Sequence, residues 1–148
     1  TLEKEILKLS CGYFPKENLL ELKKNVDLQE ELLNQKGVER EYHKLDTKFH
    51  YIIFQGNNKE NIWAAITRLS THYNRIRQLS EMERSFEEAI EQHKIIIQLI
   101  ENKEADKVDQ VVDKHIVEPI KYWRNLYKPD SPYFNYFDFP FQNPELIQ

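Results

Sequence analysis

A single cysteine, Cys11, stands in the 148 residues, so no disulfide can close within this chain and a reducing, cytoplasmic setting fits it. Glycine is almost as scarce, with three residues, and no Gly-rich phosphate loop, dinucleotide loop or zincin motif can be found. Long apolar runs are missing as well. No segment reads as a signal peptide or approaches the length needed to span a bilayer, so no membrane partner is expected. Neither charge sign dominates. The formal net charge is −4, with acids and bases interspersed and no basic stripe, which makes this chain by itself a poor nucleic-acid binder. Runs of β-branched residues are short, which argues against a sheet.

What remains is the composition of a helical protein. Hydrophobic residues make up 40% and charged residues 31% of a 17.9 kDa chain, enough for one domain with a real core. Leu2, Ile6 and Leu9 mark a first helix, which Gly12 and Pro15 interrupt. A second runs from Pro15, expected in its first turn, to about Asn34, with Leu19, Leu20, Leu28, Leu32 and Leu33 as its apolar residues. The third spans roughly Val38 to Gln55, with Leu45, Phe49, Ile52 and Ile53 inward and Gly56-Asn57-Asn58 as its stop. Ile62, Ile66, Leu69, Tyr73 and Ile76 form the stripe of a fourth, from about Glu60 to Leu79. The fifth, about Arg84 to Ile100, turns Phe86, Ala89, Ile90, His93, Ile96, Ile97 and Ile100 to one side, with Ser85 as its cap. The sixth runs from about Glu104 to Leu126 with Val108, Val112, Ile116 and Trp123 inward, kinked by Pro119. Residues 129–148 are rich in proline and aromatics and read as an irregular extension. The expected fold is therefore all-α, an antiparallel bundle of about six helices over residues 1–128.

The histidines carry the chemistry. Asp46 and His50 lie at i and i+4, one above the other on a helix face. His93 and His115 each fall on the inward side of another helix. A lone inward histidine is more often a hydrogen-bonded core residue than a ligand. Three of them with an aspartate admit a second reading, a cation that satisfies all four groups together. Three imidazoles and a carboxylate suit Zn²⁺, Ni²⁺, Co²⁺ or Mn²⁺, with Zn²⁺ or Ni²⁺ the leading choices. His43 shares the face of Asp46, and His72 sits at the edge of the fourth stripe. No glutamate stands three residues before any histidine, so a di-iron bundle enzyme loses its motif.

With Leu2-Glu3 at the start, Asp46-x-x-x-His50 within DTKFH, Glu91-Gln92-His93 before the isoleucine run, the turn ENKEAD and then Asp113-Lys114-His115-Ile116, the chain resembles the ligand-binding C-terminal (FCD) domain of FadR-like GntR-type bacterial transcription regulators. The 22-residue step from His93 to His115 fits that arrangement. The resemblance implies that Asp46, His50, His93 and His115 hold a metal, and that a small organic acid binds beside it. Arginines late in the fourth helix serve the carboxylate in the family, and Arg75 and Arg77 occupy that region. It further implies a homodimer, no enzymatic activity, and DNA binding through a winged helix-turn-helix domain ahead of this region, which this chain does not include. Two features depart from the pattern. The Gly56-Asn57 step sits early, and the aromatic extension is additional. A metal-dependent helical-bundle enzyme and a metal-free dimerisation domain are the competing readings.

Overall fold

The computed structural model describes residues 2–69, 86–117, 128–132 and 134. Among these the secondary structure is helical, with no strand, and the fold is all-α. Helix α1 covers Leu2–Gly12, α2 Lys16–Leu32, α3 Glu39–Gly56, α4 Glu60–Leu69 and α5 Phe86–Asn102. A 3₁₀ turn, Ala105–Lys107, leads into the short α6, Val108–Val112, and a π-helical turn follows over Asp113–Val117. The single sixth helix expected from the sequence is thus three pieces of different pitch over this span. Pro119, Trp123, the side chain of Ile116 and the latter half of the fourth expected helix lie outside the described residues, as do Ser85 and most of the extension.

No side-chain cap hydrogen bond opens α2 or α3, and their termini rest on backbone geometry and charge. Pro15 is the residue before α2 rather than part of its first turn, with φ −61° and ψ 139°, and its carbonyl accepts the Leu19 N–H at 3.0 Å. Glu17, Glu39, Glu41, Glu87 and Glu88 put negative charge in the first turns of α2, α3 and α5, where the helix dipole favours it. Helix α3 ends in a Schellman motif. Asn58 adopts φ 56°, its N–H meets the Gln55 carbonyl at 2.9 Å, and the Lys59 N–H meets that of Phe54 at 2.9 Å. Gly56 serves a different need. A Cβ there would come within 2.2 Å of a ring carbon of Phe14, so only glycine lets that ring close over the end of α3.

Helices α2, α3 and α5 pack around one core, with α1 laid across α3, α5 and α6. Leu22 and Val26 of α2, Phe49, Ile52 and Ile53 of α3, Ile90, Ile96, Ile97 and Ile100 of α5, and Val108 and Val112 of α6 are buried in it. Each such side chain contributes about 1.5–3 kcal/mol by leaving water. On two helices the leucines that mark the helix are not all inward. On α1 the inward residues are Ile6, Leu7, Ser10 and Cys11, whereas Leu2 and Leu9 are exposed. On α2 they are Leu22, Asn25, Val26 and Gln29, at spacings of three, one and three, whereas Leu20 and Leu28 are exposed. The inward face of α2 does not follow its leucines, because two of its inward positions hold polar residues whose hydrogen bonds are made inside. Leu45, Phe86 and Ala89 are half-buried rather than fully inward. A polar link joins α1 to the end of α3: Asn57 Nδ2 donates to Ser10 Oγ at 2.7 Å and to the Ile53 carbonyl at 2.8 Å.

Candidate metal centre

Asp46 and His50 leave α3 from adjacent turns of one face, as their spacing requires, and both are buried. His93 points into the same space from α5, and His115 from the π-helical turn. One ligand-type atom from each of the four lies within 4.8 Å of every other, and all four residues are buried. Nothing in the spacing of Val108, Val112 and Ile116 signals the π turn. Such turns insert a residue into a helical repeat and recur at functional sites, and here one carries the last histidine.

The distances show how the groups converge. His93 Nε2 stands 3.3 Å from Asp46 Oδ1, His50 Nε2 stands 3.6 Å from the same oxygen, and His115 Nε2 is 3.2 Å from His50 Nε2. The opposite ring nitrogens are each met by a side-chain oxygen from a different element. Glu3 of α1 takes His50 Nδ1, Gln29 of α2 takes His93 Nδ1 at 2.8 Å, and Gln92 of α5 takes His115 Nδ1 at 2.8 Å. An oxygen acceptor at Nδ1 calls for the proton there, and the neutral ring then presents its Nε2 lone pair. Three such lone pairs and a carboxylate directed at one small volume repel one another unless positive charge lies between them. A carboxylate or carboxamide behind each imidazole is also the usual outer support of metal-ligating histidine. The donor set therefore fits a divalent cation.

Without a cation, a proton has to do the same work. Burial pushes the His50 imidazolium towards losing its proton, but the carboxylates of Glu3 and Asp46 outweigh that and hold its pKa up at about 9. The ring faces are packed as well: Phe49 stacks on His93 with centroids 4.1 Å apart, and His50 stacks on His115 at 5.2 Å. On the outer side, Lys4 reaches Asp113 at 2.9 Å and Lys8 reaches Asp109 at 2.8 Å, so α1 is pinned to the segment that carries His115.

All four residues singled out as ligands from the sequence are brought together. His43 is half-buried on α3 and stands outside the cluster. His72, Arg75 and Arg77 lie outside the described residues. Sequence reasoning gave no role to Glu3, Asn25, Gln29 or Gln92. For Asn25 and Gln29 a signal existed: with Leu22 and Val26 they complete a helical stripe, and polar residues at such positions need partners inside.

The described residues thus form an all-helical bundle enclosing an aspartate and three histidines that could hold a metal ion. The FCD domain family model matches residues 1–118, most of the chain, and the chain belongs to that family. FCD domains are regulatory domains that bind small-molecule effectors. No curated protein and no solved structure matches the chain. No helix among the described residues is long and apolar enough to cross a membrane.

Proposed function

We propose that this chain is the effector-sensing domain of a GntR/FadR-type transcription regulator, holding a divalent metal on Asp46, His50, His93 and His115. The observation that carries the reading is the convergence of one ring nitrogen from each of three imidazoles and one carboxylate oxygen within 4.8 Å, each imidazole backed at Nδ1 by a side-chain oxygen. Zn²⁺ and Ni²⁺ match the mixed nitrogen and oxygen donors best. When bound, the ion would supply a positive centre for one oxygen of a small carboxylate effector. Arg75 and Arg77 are the proposed clamp for that acid, because a guanidinium meets a carboxylate through two parallel hydrogen bonds. The domain works as a cytoplasmic homodimer without catalytic activity, and occupancy alters DNA binding by a winged helix-turn-helix partner domain. Ligands contributed by α3, α5 and the π turn give binding a means of drawing separate elements together, and a ligand shifts an equilibrium by its preference for one arrangement.

The test is elemental analysis of protein purified without chelator or His-tag, paired with melting curves with and without EDTA. About one metal per chain is expected. At a free metal concentration about a thousandfold above Kd, binding adds roughly 4 kcal/mol, so EDTA should lower Tm by on the order of 10 °C. Small carboxylates should then raise Tm further in the metal-loaded protein and fail to do so after chelation or in Arg75→Ala and Arg77→Ala. No metal, and no EDTA effect after adding Zn²⁺ or Ni²⁺, would leave the metal-free dimerisation domain as the better reading.

A further inference from the structure

Helix α2 contributes no atom to the cluster, yet it holds a buried polar chain that ends on one of its histidines. Asn25 Nδ2 donates to the backbone carbonyl of Leu45 at 3.1 Å. Gln29 Nε2 donates to Asn25 Oδ1 at 2.7 Å, and Gln29 Oε1 faces His93 Nδ1 at 2.8 Å. Gln29 is fully buried and Asn25 is 5% exposed.

The direction of this chain is forced. A carbonyl oxygen only accepts, so the Asn25 amide must turn its NH₂ to Leu45 and its oxygen to Gln29. That oxygen also only accepts, so Gln29 must turn its own NH₂ towards Asn25. Its remaining atom, Oε1, then confronts His93, and only a protonated Nδ1 satisfies it. Reversing either amide sets two acceptors or two donors against each other inside the core, at a cost of about 1–3 kcal/mol. We propose that Asn25 and Gln29 form a positioning relay which, anchored on the Leu45 carbonyl, locks neutral His93 as the Nδ1–H tautomer with its Nε2 lone pair aimed at Asp46. The relay starts from the backbone of the helix that carries Asp46 and His50, so α3 sets the donor atom of α5 through α2. Gln29 and Asn25 are positioning residues, not ligands.

The consequence for metal affinity rests on the metal reading above, but the tautomer does not, and the two are tested separately. Nitrogen-15 NMR of the metal-free chain at alkaline pH, with imidazoles neutral, reports which nitrogen of His93 bears the proton. The unaltered chain should show His93 as the Nδ1–H form alone; an Nε2–H signal there overturns the relay without recourse to any variant. In Gln29→Met, which keeps the volume but removes the amide, both tautomers should appear. Asn25→Leu, which keeps the volume but removes the acceptor that holds the Gln29 amide, should likewise show both. Titration with Zn²⁺ against a chromophoric chelator should then give about 10–100-fold weaker binding for Gln29→Met, the range typical of lost outer support. A Gln29→Met chain or an Asn25→Leu chain that keeps the Nδ1–H form in full overturns the relay. An unaltered chain that binds no metal ends the metal reading and leaves the tautomer result to decide the relay.

Discussion

Helices α2 and α3 each bury a polar pair at i and i+4, and the two pairs have different surroundings. Asp46 and His50 on α3 converge on a space shared with two more histidines, where His50 forms an ion pair with Asp46 only when it carries a proton. Asn25 and Gln29 on α2 are joined head to tail, each donor meeting an acceptor at 2.7–3.1 Å. The second pair is complete as it stands, while the first calls for a cation or a proton. Spacing and burial are therefore not what mark a ligand set. Mutual incompatibility is, and it is visible only when the partners of both ring nitrogens are known.

The contrast can be broken most severely at Asp46 and His93. Asp46→Ala or His93→Ala should abolish the difference in Tm between metal-loaded and EDTA-treated protein, because each removes a donor that no neighbouring group replaces. Retained stoichiometric metal in either variant would exclude that residue from the site. Next in size is the orientation of α2 itself. Leu22→Ala, at a fully buried position, should cost about 2–5 kcal/mol in urea unfolding, whereas Leu28→Ala, on the exposed face, should stay within about 0.5 kcal/mol. Equal losses at the two leucines would show that α2 turns a different face to α3. At the end of α3, Gly56→Ala should cost about 1–3 kcal/mol through the Phe14 ring. Phe14→Leu in the same chain should recover part of that loss, as measured by Tm.

The smallest effect is in pH, and its sign differs between the two forms of the site. In EDTA, His50 has a folded-state pKa of about 9 against an ordinary 6.5. Its stabilising contribution is then fully present below pH 6.5 and is lost as pH rises through 9. A bound ion needs the same nitrogen deprotonated, so the increment in Tm on adding metal should grow over that interval. Glu3→Gln weakens the charge that holds the proton and should flatten both trends. Parallel pH profiles with and without metal would mean that the ion does not compete with a proton on His50.

Much of this was legible in advance. Asp46 and His50 could be paired because a helix repeats every 3.6 residues, and His93 could be placed because it shares a stripe with Ile90, Ile96, Ile97 and Ile100. The faces of α1 and α2 were less legible, because Leu2, Leu9, Leu20 and Leu28 look like core residues and are exposed. Hydrophobicity constrains what enters the core far more than what stays on the surface. The π turn at His115 left no trace, since its hydrogen-bond shift depends on what surrounds the helix rather than on residue type.

By itself the sequence determined that the described residues are helical, where α1, α2 and α3 begin and end to within a few residues, and which four residues are compatible with a metal. Those properties are local, set by periodicity, caps and the chemistry of single side chains. The tertiary structure alone decided that Glu3, Gln29 and Gln92 stand behind the three imidazoles, from sequence distances of 47, 64 and 23 residues. It also decided that Asn25 and Gln29 turn inward in place of two leucines. A hydrogen-bond partner is fixed by where the backbone carries both groups, and no local pattern encodes that.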